Sequence, residues 1–396
     1  MTPGARIAAA SQILDGVLAG HPAERTLTNW ARASRFAGSK DRAAVRDLVY
    51  DALRRRRSCA WLGGAETGRG LMLGLLRLSG TEPATLMTGE GHALAPPSAE
   101  EAPRDFTDAP RAVRLDMPDW LLPRLDASLG QEADAACLAL IGRAPTTLRA
   151  NLRKTTREQA QENLAVEGIG TEPDPQVPTA LHVTNGASRI AASQAYASGL
   201  VELQDASSQA AVLRLPLRDG DRVLDYCAGG GGKTLAMGAL ARLDLHAHDA
   251  ERRRMADLPT RAARAGLEVT MLADPGTRAP YDLVLVDAPC SGSGTWRRTP
   301  EAKWRLTAER LAELCGLQDR ILDDAAPLVA PGGRLAFATC SVLREEGSDR
   351  VEAFRARHPG WVPSDELRLL PGPCGDGFFQ SVLERDGDTV RARRRG

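Results

Sequence analysis

From about residue 206 the chain alternates short apolar runs with stretches of helical period, and this alternation restricts the fold more than any other feature. "DRVLDYCAGGGGKTLAMGALA" reads as strand, glycine loop, helix, and "LDLHAHDAERRRMADLPTRAARAG" as strand, acid, helix. "LEVTMLADPG" is a third strand and "YDLVLVDAPCSGSG" a fourth. A long helix, "AERLAELCGLQDRILDDAAPLVAPGG", leads to a fifth, "RLAFATCS". Short continuous apolar runs suit strands buried on both faces. Strands spaced by helices make a parallel α/β sheet. A closing hairpin is expected in "GFFQSVLERDGDTVRARR". Asp225, Asp249, Asp274 and Asp287 each fall at or near a strand end. In an open parallel sheet the carboxyl ends border the ligand crevice, so all four acids point to one edge.

The loop "DYCAGGGGKT" is neither of two familiar phosphate loops. The pattern G-x-x-x-x-G-K-T needs glycine where Cys227 stands, and a G-x-G-x-x-G started at Gly229 puts its third glycine on Thr234. What remains is a glycine turn that lets a ligand approach the backbone at a helix N-terminus, where negative charge is favoured. Asp249 follows about 20 residues later, where an acid can hold ribose hydroxyls. An adenosine-bearing cofactor with a carboxylate fits both features, and S-adenosylmethionine is that cofactor.

The remainder of the chain is organised differently. Residues 1–80 read as helices; residues 1–60 carry 11 Lys+Arg against 5 Asp+Glu and end near the run Arg54 to Arg57. That run suits either RNA phosphate or a solvated helix end favoured by the macrodipole. Residues 81–110, rich in Pro, Gly, Glu and Ala, read as a linker or irregular loop. Residues 111–205 read as a small α+β module in which "TTLRANLRKTT" alternates like a strand, and residues 206–396 as the catalytic domain. Seven scattered cysteines, an odd number, argue against a disulfide framework and for a reducing cytoplasm. No CxxC or Cys/His cluster occurs, so no metal is expected. No window approaches the roughly 20 apolar residues of a membrane span, and the N-terminus lacks a signal peptide's apolar core.

"LDYCAGGGGKT", "DAPCSGSG" and "ATCSVLREEG", in this order, resemble the RsmB/Sun family of RNA cytosine-5 methyltransferases. "LRANLRKTTREQ", "ELQDASSQAAVL" and "DGFFQSVLER" are similar to further segments of that family, and "GSKDRAAVRDLVYDALRRRR" to its NusB-like helical domain. The resemblance implies a Rossmann-like methyltransferase core, an N-terminal NusB-like RNA-binding region and a small α+β RNA-binding module. It makes Cys227, Ala228, Gly229, Gly230, Gly231, Gly232 and Lys233 the cofactor loop. Gly229-Gly230 stand where the family usually has Ala-Pro. Asp249 would hold the ribose, Asp274 would sit near the adenine, and Asp287 would border both methyl group and target base. Cys340 would be the nucleophile and Cys290 the group that helps release product, with Asp287 and Lys233 beside them.

These groups suit the chemistry. Carbon 5 of cytosine is a poor nucleophile until a thiolate adds to carbon 6, which divides one hard step into easier ones. An acid beside the ring stabilises the charge that develops, and Pro289 stiffens the loop that aims Asp287 and Cys290. The base must leave its stack to be reached. Trp296, Arg297 and Arg298 suit either contact with RNA or a packed Trp flanked by solvated arginines. The expected partner is RNA, 16S ribosomal RNA first, with the chain acting as a cytoplasmic monomer away from membranes. Transfer RNA is the alternative substrate, and a non-catalytic ribosome assembly factor the alternative class. A DNA cytosine methyltransferase would attack with the Pro-Cys thiol and needs no second cysteine, so Thr339-Cys340-Ser341 points to RNA.

Overall fold

The computed structural model describes residues 1–385. It divides into two compact units. Met1–Arg143 with Trp296–Leu306 form one, and Ala144–Thr295 with the residues from Thr307 onward form the other.

The first unit is helical. Its helices Pro3–Leu18, Ala23–Ala33, Ser39–Arg54, Arg56–Gly63 and Gly68–Leu78 enclose a core that includes Ile7, Leu14, Val45, Val49, Leu71 and Met72. Apolar positions three and four apart put these side chains on one face of each helix. Two helices touch through their backbones: a Cβ added to Gly74 would lie 1.9 Å from the Cys59 carbonyl oxygen. The stretch 81–110 is mostly irregular but tied down. Met87 joins the core, and Arg69 binds Glu101 through both its Nε and Nη2 atoms, at 2.7 and 2.8 Å. Buried Asp116, at φ +50°, accepts the Arg57 and Ser58 N–H groups at 2.9 and 3.0 Å, supplying partners for the open first turn of helix Arg56–Gly63.

Neither sequence reading of the arginine run holds for Arg54. Its side chain is buried, and its Nε donates to the Arg297 carbonyl at 2.8 Å. Arg57 pairs with Asp119 at 2.9 Å. Trp296 is packed, the second of its two sequence readings, but Arg297 is buried with it rather than solvated. Lys303, on the same inserted segment, is also buried. Desolvation pulls its ammonium down to about 8, opposed by the Asp116 charge. The segment is held because its polar groups replace water with partners inside the helical unit.

The second unit contains two sheets. The smaller, in order β2-β3-β1-β4, comprises β1 (Thr147–Ala150), β2 (Thr171–Pro173), β3 (Ala180–Val183) and β4 (Val201–Leu203), and is antiparallel throughout. All four residues of β1 are buried, so the apparent alternation of "TTLRANLRKTT" is not an inside–outside pattern. Helices Leu122–Leu129 and Ala133–Ile141 pack in the first unit instead, so residues 111–205 are shared between the two units.

The larger sheet comprises β5 (Arg222–Asp225), β6 (Asp244–Ala247), β7 (Thr270–Met271), β8 (Tyr281–Asp287), β9 (Val329–Thr339), β10 (Trp361–Leu369) and β11 (Phe378–Arg385). Its order is β10-β11-β9-β8-β5-β6-β7. β5 to β9 run parallel, as the strand–helix alternation requires. β11 joins antiparallel to β9 and to β10. The hairpin partner of "FFQSVLER" therefore precedes it; residues 386–396, the expected second arm, lie outside the described residues. Chain order runs β5, β6, β7 outward and then returns to β8 on the other side of β5. That reversal opens a crevice at the carboxyl ends of β5 and β8. The sheet has the Rossmann-like form.

Candidate active site

The glycine loop leaves β5 and enters helix Gly232–Leu240. Gly229 and Gly231 hold φ of +50° and +80°, a region costly for residues with a Cβ. A Cβ on Gly231 would also lie 2.2 Å from the Leu258 side chain. The Ala228 N–H donates to the His248 carbonyl at 2.9 Å and the Gly229 N–H to Asp249 Oδ2 at 2.9 Å. Asp249, nearly buried, thus folds back on the loop. Its other oxygen accepts the Glu251 N–H at 2.9 Å, and half-exposed Arg254 reaches Oδ2 at 3.2 Å. A buried acid beside a strained glycine turn fits an adenosine cofactor: the acid can accept ribose hydroxyls once Arg254 swings away. Asp274 is exposed just beyond β7, and its carboxylate accepts the Gly276 N–H at 2.8 Å.

Two residues from the smaller sheet's region, missed by the motif reading, steady the far end of the loop. Arg149 on β1 donates to the Gly232 carbonyl at 2.9 Å, and Gln204 donates to the same oxygen at 3.2 Å. Desolvation pulls the buried Arg149 guanidinium down to about 10. Both lie in segments quoted above, but their target could not be read from a linear chain. Below the loop, Asp225 is buried and accepts the Thr234 hydroxyl at 2.6 Å. Burial raises its carboxyl to about 7. Burial also pushes the Cys227 thiol up, with nearby acids adding to the effect.

The expected catalytic groups gather at the ends of β8 and β9, which are hydrogen-bonded neighbours. The Cys290 and Cys340 sulfurs lie 3.4 Å apart. Lys233 Nζ binds Asp287 Oδ2 at 2.7 Å and stands 5.0 Å from the Phe378 ring centroid. Burial alone would lower the Lys233 ammonium, but Asp287 outweighs it and the pKa is raised. The two thiols are displaced in opposite directions. The hydrogen bond from Cys290 lowers Cys340, helped by Lys233 and Thr295 and opposed by burial and Asp287. That bond, with burial and the Glu346 charge, raises Cys290. Either sulfur can donate across this contact, and Cys340 is the more readily ionised of the two.

Glu346 is the main residue that sequence reasoning overlooked. It is fully buried and accepts the Ser291 N–H at 2.8 Å, the Ser291 hydroxyl, the Ser341 hydroxyl at 2.7 Å and Gln318 Nε2 at 3.2 Å. Ser291 and Ser341 are the residues that follow the two thiols. The signal was present in "ATCSVLREEG", but an acid five residues past Ser341 reads as an exposed helix start until the loop closes on it. A separate grouping brings Asp174, His182 and Cys374 ligand atoms within 4.8 Å of one another. Both His182 nitrogens already have hydrogen-bond partners, Asp174 at 2.7 Å and Thr147 at 3.2 Å.

Residues 212–383 match the family model for 16S rRNA methyltransferase RsmB/F, and residues 117–188 match the ferredoxin-like domain of RsmF/B-like methyltransferases. The ribosomal RNA small subunit methyltransferase B of Salmonella typhi is 35% identical over 283 residues. That match covers 67% of this chain and 66% of the relative, just under two thirds of its length. Among solved structures, PH0851 shares 22% identity with a TM-score of 0.75, covering 97% of this chain and 99% of its own. A methyltransferase homolog protein from Pyrococcus horikoshii shares 23% with a TM-score of 0.61, covering 69% and 97%. The solved structures share the fold. No described helix is long and apolar enough to cross a membrane.

Proposed function

Because the chain belongs to the RsmB/Sun family of RNA methyltransferases, we propose that it methylates carbon 5 of a cytosine in small-subunit 16S ribosomal RNA, as a monomer in the cytoplasm. The loop from Cys227 to Lys233, together with Asp249, would hold S-adenosylmethionine, which would supply an electrophilic methyl group. The observation that carries the reading is the sulfur pair, with Cys340 lowered and Cys290 raised, beside the Lys233–Asp287 ion pair.

Cys340, as thiolate, forms a bond to carbon 6 of the flipped cytosine. The electron pair of the carbon 5–carbon 6 double bond moves to carbon 5, which would then take the methyl group as its bond to the sulfonium sulfur breaks and leaves a neutral thioether. Asp287 would accept from the amino group of the cytosine, and the Lys233 ammonium beside it would stabilise the negative charge that addition develops on the ring. The proton on carbon 5 then passes to a solvent base, the double bond re-forms and the Cys340 sulfur is expelled as a thiolate, with Cys290 assisting this release. Lys233 holds Asp287 in its aim, and both thiols are half-buried, within reach of a base that enters the site.

Incubating variants with RNA and labelled cofactor tests the assignment. Cys340→Ala is expected to give neither product nor adduct. Cys290→Ala accumulates a protein–RNA complex that survives denaturing electrophoresis and disappears with ribonuclease. The double variant behaves like Cys340→Ala, since release follows attack. An adduct trapped by Cys340→Ala reverses the roles, and full turnover by both single variants removes the covalent mechanism.

A further inference from the structure

The helical unit carries a feature that this chemistry does not use. A cleft of about 710 Å3 opens among Arg56, Arg57, Trp61, Arg104, Trp120 and Trp304. Its volume lies within the roughly 300–1,000 Å3 of sites that hold ligands of nucleotide size. Three of the chain's six tryptophans line this one opening, all half-buried, so the concentration calls for a reason. Each ring carries a guanidinium: Arg56 lies 5.4 Å from the Trp304 centroid, Arg104 5.4 Å from Trp61 and Arg124 5.7 Å from Trp120. Two indoles are anchored. Trp61 Nε1 donates to the Asp105 carbonyl at 3.1 Å and Trp304 Nε1 to the Leu53 carbonyl at 2.7 Å. The rim acids Glu66 and Asp119 are already paired, with Arg56 and Arg57. Arg104 is exposed and makes no ion pair among the described residues.

We propose that this cleft binds an unpaired segment of an RNA strand, at a site separate from the methylated cytosine; the inference rests on the reading that the chain acts on RNA. Fixed indoles topped by guanidinium groups are platforms on which a base can stack, either on the ring or on the guanidinium plane. Arg104 has positive charge to spare for phosphate. A duplex keeps its base faces covered and cannot use such platforms. An apolar peptide would gain nothing from the arginines over the rings.

The test uses the full chain and a fluorescein-labelled oligoadenylate, which contains no cytosine to methylate. The wild-type protein is expected to bind it and to lose intrinsic tryptophan fluorescence on binding. Trp120→Ala should weaken binding roughly tenfold, the effect of losing one base–aromatic stack. Trp120→Phe should retain most of the affinity. Arg104→Ala, a change at an exposed side chain, should weaken binding roughly two- to fivefold, the scale of one exposed cation–π contact. Cofactor affinity stays unchanged in all three. Equal quenching by an RNA duplex, or undiminished affinity in both Trp120→Ala and Arg104→Ala, overturns the inference. Methyl transfer to small-subunit RNA is measured on the same preparations. Transfer without oligoadenylate binding overturns the inference alone; stacking without transfer supports it and overturns the functional reading.

Discussion

Replacing Glu346 with Gln separates positioning of the thiols from mere stability. The carboxylate accepts the Ser291 N–H, two serine hydroxyls and the Gln318 amide, with no solvent exposure. A hydrogen bond to a charged group contributes about 1.5–3 kcal/mol and a neutral one about 0.5–1.5 kcal/mol, so neutralisation costs about 1 kcal/mol per bond. Ser341 loses most, since its hydroxyl already accepts the Leu343 N–H at 3.1 Å and has little freedom to accept again. Relief of the buried charge offsets part of this. The net loss is about 2 kcal/mol, or about 4–8 °C in Tm for a unit of this size. Ser291 and Ser341 immediately follow Cys290 and Cys340, so their displacement misaims both sulfurs. A misplacement near 1 Å lowers the rate about 100-fold. Single-turnover methyl transfer, thermal melting and calorimetry with S-adenosylmethionine are measured together. The expected pattern is a slow transfer step, a modest fall in Tm and unchanged cofactor affinity. A fall in Tm with an unchanged single-turnover rate refutes the positioning role, and a parallel loss of cofactor affinity shows a general collapse of the site.

Asp249→Ala should weaken S-adenosylmethionine by about 1.5–3 kcal/mol, the scale of hydrogen bonds to a charged acceptor, and calorimetry showing equal affinity removes Asp249 from the site. Cys340 ionises below the ordinary thiol value, so its thiolate forms as pH rises through that depressed pKa. Cys290→Ala deletes the largest cause and should move the pH profile of Cys340 alkylation to higher pH; an unmoved profile denies the hydrogen bond between the sulfurs. Asp225 has the opposite linkage. Its folded pKa of about 7 exceeds the ordinary 3.8, so its contribution to stability is full below 3.8 and is lost as pH rises through about 7. Asp225→Asn should therefore raise Tm of the cofactor-free protein at pH 8 relative to wild type and change it little at pH 4. A gain of equal size at both pH values would falsify the buried-acid assignment.

The sequence by itself determined what is local or periodic. The alternation of apolar runs and helical stretches carried the five parallel strands, because a strand buried on both faces must be apolar throughout. The glycines at 229 and 231 and the acid at 249 announced a cofactor turn, because few other residues tolerate that backbone and that position. The motif resemblance named Cys290 and Cys340 from residues 50 apart. Only the tertiary structure decided which groups meet. The 3.4 Å sulfur separation, and the direction in which each thiol is displaced, arise from the adjacency of β8 and β9. Glu346 could not be distinguished from a surface acid until its loop closed over two serines. Arg54 likewise looked solvated beside its neighbours, yet burial forced it onto the Arg297 carbonyl, 243 residues away in sequence. Burial and pairing across long sequence separations depend on which surfaces exclude water together, and no single segment carries that information.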